Sequence, residues 1–133
     1  MKDFLNIKET IEYKIDKNAH MILNEEGIGI KIKKFFGLFK YYINYKWNYI
    51  RDIRLIGDEI IIKTDKAILK TELSLSSKEK TNLLHLIDKI MPEISNRVNS
   101  NDYKPSEELL EETKKLKQIT LKSNPFYIEI KED

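Results

Sequence analysis

From Ile50 onward, apolar and polar positions alternate in short runs separated by two-residue interruptions, which predicts an antiparallel meander. Gly57-Asp58 forms the first interruption, and a glycine leading a two-residue loop suits a type II′ hairpin because it takes positive φ without steric cost. This loop sets Ile56 against Glu59, Leu55 against Ile60 and Ile53 against Ile62. On the reverse side Arg54 meets Ile61, and Asp52 meets Lys63 as an opposite-charge pair. A slip of one residue would destroy both faces together, so the register is checked internally. Asp65-Lys66 is the second loop; it sets Leu69 against Ile62 and Thr71 against Ile60, with Leu73 and Leu75 continuing the apolar face. The reverse side reads as solvated.

Ser76 followed three residues later by Glu79 is a capping-box pattern. Leu83, Leu84, Ile87, Ile90 and Met91 then recur at helical spacing, which predicts a helix covering the meander's apolar face. Pro92 biases Met91 away from helical geometry and predicts the end of that helix.

Upstream, Ile11, Tyr13 and Ile15 alternate with Glu12, Lys14 and Asp16; Lys17-Asn18 reads as a turn, His20 to Leu23 as a second strand, and 24–27 as a four-residue turn. Ile28, Ile30 and Ile32 then alternate with Gly29, Lys31 and Lys33. Phe39, Tyr41, Ile43, Tyr45 and Trp47 alternate with Lys40, Tyr42, Asn44 and Lys46. With Phe36-Gly37 as the turn, Ile32 pairs with Tyr41, Ile30 with Ile43 and Ile28 with Tyr45. Downstream, 95–106 reads as a polar linker, and Ser106 as the N-cap of a helix over 107–118 with a thin stripe of Leu109, Leu110 and Leu116. Phe126, Ile128 and Ile130 alternate with Tyr127, Glu129 and Lys131, a terminal strand suited to a sheet edge in its own chain or in a second copy.

The chain has 133 residues, a length able to bury a core without disulfides or metal. Its 24 Lys and Arg against 22 Asp and Glu leave a formal charge of +2, too balanced to argue for nucleic acid. The absence of Cys excludes thiolate chemistry and Cys-based zinc sites. No apolar run approaches a membrane span, and Met1 to Leu5 does not open a signal-peptide core, which together predict a cytoplasmic chain.

About seven short strands followed by one helix indicate a barrel or sandwich. That order resembles the pleckstrin-homology-like domains. The stretch Trp47-Asn48-Tyr49-Ile50-Arg51-Asp52-Ile53 is similar to the tryptophan-x-x-isoleucine step of bacterial members, and Glu26-Gly27-Ile28-Gly29-Ile30 to their early hairpin. The resemblance covers roughly residues 10–92 and implies a mainly β, pleckstrin-homology-like antiparallel barrel or sandwich capped by a C-terminal helix. Residues 1–94 would form that domain, and 95–133 a linker, helix and strand packing on it or on a second chain. An unrelated α+β roll is the alternative fold.

The 31–40 hairpin is the candidate site. Its end carries Phe35, Phe36 and Leu38, flanked by Lys31, Lys33, Lys34 and Lys40, and its register sets Lys33 against Lys40. Like charges directly opposite cost stability without an anion or solvent between them. The family resemblance implies a basic early loop for lipid headgroups. The plainer reading makes the lysines a solvated outer face and the phenylalanines core or a dimer contact. Tyr42, Tyr45, Trp47 and Tyr49 among Lys40, Lys46 and Arg51 also match a stacking surface for single strands, a reading the charge balance disfavours. His20 and His85 stand apart from any ligand spacing, and the Glu25-Glu26 and Glu107-Glu108 pairs fit turn and helix-start chemistry.

No catalytic constellation, cofactor motif or metal set emerges. The expected function is a non-enzymatic binding module acting on a protein partner. The alternatives are a peripheral binder of anionic lipid through 31–40 and a small inhibitor or immunity-type protein that blocks a surface. A homodimer through the C-terminal strand is a further expectation.

Overall fold

A computed structural model describes residues 9–34, 38–99, 107–120 and 126–131. Its elements run β1 (Ile11–Asp16), β2 (Ala19–Leu23), β3 (Gly27–Lys34), β4 (Phe39–Lys46), a 3-10 turn (Trp47–Tyr49), β5 (Asp52–Ile56), β6 (Glu59–Lys63), β7 (Ala67–Glu72), α1 (Ser77–Asn99), α2 (Glu107–Thr120) and β8 (Phe126–Ile130). The strands form two antiparallel four-stranded sheets, ordered β1-β2-β3-β4 and β5-β6-β7-β8. Among the described residues the chain is therefore mainly β with two helices, and the sheets do not close into a barrel.

The meander has the register its side chains require. Ile53 faces Ile62, Leu55 faces Ile60, and Asp52 faces Lys63, while Leu69 and Thr71 face Ile62 and Ile60. Gly57 has φ of 63°, the left-handed value its loop needs. In the first sheet Ile28, Ile30 and Ile32 face Tyr45, Ile43 and Tyr41. These inward faces meet in one core with Met21, Leu23, Ile50, Ile53, Ile60 and Ile62, all buried. Ser74 ties the sheets together: its N–H donates to the Lys14 carbonyl at 2.8 Å and its Oγ to the Ile15 carbonyl at 3.3 Å.

The capping box forms as expected. The Ser76 N–H donates to Glu79 Oε1 at 3.0 Å, and the Glu79 N–H donates to Ser76 Oγ at 3.1 Å. The helix does not end at Pro92, however. It continues to Asn99, so the polar linker expected from residue 95 begins as helix, and α1 runs across the boundary expected at 94–95. Pro92 lies on the exposed side, while Ile94 beyond it is buried with Leu83, Ile87 and Ile90. Continuing the apolar stripe offsets the hydrogen bond that proline removes. Arg97, in the added turns, donates to Asn48 Oδ1 at 2.8 Å.

Three further expectations need correction. Trp47 is not in a strand; it opens the 3-10 turn between the sheets, and its indole N–H donates to the Asn24 carbonyl at 3.0 Å. Ile61, on the supposedly solvated reverse side, is buried. Its register neighbours are Arg54 and Lys70, whose long apolar stems can cover such a position. The helix expected over 107–118 reaches Thr120, and Ser106 lies outside the described residues. The terminal strand pairs with β7 of its own chain, Leu69 facing Ile128 and Lys70 facing Tyr127.

Candidate functional site: the overhanging β3–β4 hairpin

The site follows from unequal strand lengths. β3 and β4 each have 8 residues, whereas β1 has 6 and β2 has 5. The last β2–β3 register pair is Ala19 with Ile32, and the Lys33 N–H still donates to the Asn18 carbonyl at 2.8 Å, so the hairpin projects past its sheet from Lys33 outward. There Lys33 faces Lys40 and Lys34 faces Phe39, as the register required. Opposed residues place their Cβ atoms about 5 Å apart, so the two ammonium groups repel unless they splay into solvent or share an anion.

Lys31 lies on the outer face between His20 on β2 and Tyr42 on β4. Lys31 and Lys33 are half-buried, whereas Lys40 is exposed. Leu38 is 83% exposed and Phe39 66% exposed, beside these lysines. The alternation placed Phe39 inward with Tyr41 and Ile43. It is exposed nonetheless, because it sits at the hairpin end, past the positions where Ile43 and Tyr45 of the same face enter the core. Phe35 and Phe36 lie outside the described residues, and Lys34 is described in its backbone alone. Of the expected cluster, the structure therefore brings Lys31, Lys33 and Lys40 to one face, adds Tyr42 to it, and leaves Leu38 and Phe39 exposed at the hairpin end.

Tyr42 has a structural partner. A Cβ built on Gly29 would lie 2.6 Å from Tyr42 Oη and 2.7 Å from its Cε1, so the ring covers the glycine across the strand pair. Large cross-strand side chains commonly shield such a bare backbone. Burial, with Glu26 second, raises the Tyr42 hydroxyl above its ordinary pKa.

The alternative stacking surface does not assemble. Tyr45 is buried at 2% exposure and Trp47 at 3%. Tyr45 shares a 2.8 Å hydrogen bond with Thr113 of α2, and Tyr41 donates to the Glu112 carbonyl at 2.6 Å. These two tyrosines hold α2 against β4. Sequence periodicity detects their rings but carries no signal for the hydroxyl contacts made some seventy residues later.

His20 Nδ1 lies 3.9 Å from Glu12 Oε1, and His85 is exposed on α1. Among the described residues no group of three or more His, Cys, Asp or Glu is placed to hold a metal ion. No helix among them is long and apolar enough to cross a membrane.

Two mixed faces in one core, joined at a tryptophan corner, define a mainly β two-sheet domain with a basic and apolar hairpin end. Comparison with protein-family models, curated proteins and solved structures returned no match.

Proposed function

We propose that the chain is a non-enzymatic binding module of the pleckstrin-homology-like kind that engages a protein partner through the end of its β3–β4 hairpin. The observation that carries this reading is the exposure of Leu38 and Phe39 at the same hairpin end that carries the opposed Lys33 and Lys40 on its outer face. Such a surface complements an apolar patch rimmed by carboxylates, where aromatic and aliphatic anchors supply affinity and the charges supply steering. The order of seven strands followed by a helix supports the fold part of the proposal. Fold alone does not assign the partner.

A second reading, association with an anionic membrane, is favoured by the Lys33–Lys40 juxtaposition. Anionic lipid would relieve that repulsion, and each lysine near the surface would contribute about 1 kcal/mol. The two readings separate experimentally. A photo-crosslinker at Leu38 should yield a discrete protein adduct in cells, lost in Lys33→Glu/Lys40→Glu, while the protein fails to float with phosphatidylserine vesicles. Flotation abolished by the same charge reversal, without a protein adduct, would establish the membrane reading instead. If charge reversal alters neither result, the hairpin is not the contact surface.

A further inference from the structure

A separate feature lies at one end of the second sheet. A cavity of about 280 Å³ is lined by Arg51, Asp52, Lys63, Thr64, Ile68 and Lys131. Backbone pairing fixes its wall: the Arg51 N–H donates to the Lys63 carbonyl at 2.7 Å, and the Lys131 N–H donates to the Lys66 carbonyl at 2.7 Å. Asp52 faces Lys63, and Lys63 faces Ile68, so these three hold outward positions on β5, β6 and β7. Thr64 Oγ1 accepts from the Lys66 and Ala67 N–H groups at 3.3 and 3.1 Å, which commits it to the turn.

Three cationic residues and one carboxylate therefore line the same cavity. Among the described residues, neither Lys63 nor Lys131 has an ion-pair partner. The carboxylate is itself incompletely satisfied. Asp52 Oδ2 accepts from Arg54 Nε at 2.9 Å, but Oδ1 is buried with no hydrogen-bond partner. A buried acceptor without a donor costs about 1–3 kcal/mol, and such an atom calls for an explanation.

We propose that this cavity binds a small organic anion whose phosphate or carboxylate group sits among Arg51, Lys63 and Lys131 and whose adjacent hydroxyl or ammonium group turns the Asp52 carboxylate toward the cavity and donates to Oδ1. The excess of cations selects the anion, and the orphaned oxygen selects the neighbouring donor. The volume falls just below the roughly 300–1,000 Å³ of drug-sized pockets, which limits the occupant to a compact molecule. Because Lys131 follows β8, the cavity exists only once the C-terminal strand has docked. The proposal is independent of the hairpin surface, which lies on the other sheet.

Amide-resolved NMR titration of the full chain tests it, with ethyl phosphate, glycerophosphate and glycerate as probes. Saturable shifts are expected at Arg51, Lys63, Thr64 and Lys131. Comparing glycerophosphate with glycerate identifies the preferred anionic group. A donor-bearing probe should bind about tenfold more tightly than ethyl phosphate, whose dianion has no hydroxyl, equivalent to about 1.4 kcal/mol. Asp52→Asn should erase that preference while retaining phosphate binding, and Lys63→Glu/Lys131→Glu should weaken every probe while leaving spectral dispersion intact. Absence of saturation through the millimolar range would overturn the proposal. So would shifts confined to residues 31–40, or titrations unchanged in the charge-reversal variant.

Discussion

Replacing Thr113 with Val tests whether a buried pair of hydroxyls docks α2 on the first sheet. Tyr45 and Thr113 are each 2% exposed and are joined at 2.8 Å. Val keeps the branched shape of threonine, so it removes the hydrogen bond with little change in volume. The Tyr45 hydroxyl is then buried without a partner, at a cost of about 1–3 kcal/mol. Tyr45→Phe should cost less, about 0.5–1.5 kcal/mol, because threonine in a helix can turn its hydroxyl to the carbonyl one turn back. With both hydroxyls gone, nothing polar remains unpaired, and the double variant should be more stable than Thr113→Val alone.

The assay is urea unfolding of the wild type, both single variants and the double variant. For a slope of about 1–3 kcal/mol per molar urea, Thr113→Val should lower the midpoint by about 1 M. The coupling between the two substitutions should be at least about 1 kcal/mol, well beyond the roughly 0.3–0.5 kcal/mol scatter expected of independent sites. Additive losses, or a double variant less stable than either single variant, would refute the idea that this pair positions α2.

Other substitutions probe separate joints. Gly27→Ala should cost about 3 kcal/mol or more by thermal or urea unfolding, because its Cβ would strike the Tyr45 carbonyl oxygen and come 2.7 Å from Lys46 Cα. Gly57→Ala, with φ of 63° and open space around it, should cost only about 1–2 kcal/mol, and reversal of that order would contradict the β3–β4 approach. Pro92→Ala should stabilise by about 1–3 kcal/mol by restoring a donor and removing a ring clash inside α1; a lower midpoint would show that the break is needed. In alkali, the Tyr41 hydroxyl, pushed up to about 12 first by burial and then by Glu112, favours the folded neutral form. That contribution is complete below the ordinary phenol value of 10.0 and disappears as pH rises through about 12, so the urea midpoint should fall across that window and fall less in Tyr41→Phe. An equal fall in that variant would remove Tyr41 from the account.

The alternation of Ile53, Leu55, Ile60, Ile62 and Leu69 specified the second sheet because any other register exposes aliphatic side chains. Ser76 and Glu79 marked the start of α1 through two local hydrogen bonds, which depend on residues only three apart. The end of α1 was not readable in the same way. Pro92 carries a strong local preference, and only the tertiary burial of Ile94 shows why it loses. Phe39 was misread for a related reason: alternation gives the side of a strand but not whether the core on that side reaches as far as the residue. The lysines of 31–40 were legible as a charged run, whereas the cavity around Lys63 was not, since Arg51 and Lys131 are eighty residues apart and meet only through β5–β8.

The C-terminal residues are less dispensable than their thin apolar stripe suggests. Leu109 and Leu116 of α2 and Phe126 and Ile128 of β8 enter the same core as the sheets, and Thr113 joins them through its hydroxyl. Burial pushes the Tyr45 hydroxyl far above its ordinary pKa, the hydrogen bond with Thr113 pulls it back in part, and Tyr41 and Glu112 add to the rise. Among the described residues, Thr113 of α2 is the partner that offsets the cost of burying the Tyr45 hydroxyl on the inward face of β4. The same docking gives β7 its second neighbour and brings Lys131 to the cavity. Both candidate surfaces thus lean on the C-terminal residues: the hairpin is steadied where Tyr41 and Tyr45 grip α2, and the cavity is completed where β8 pairs with β7.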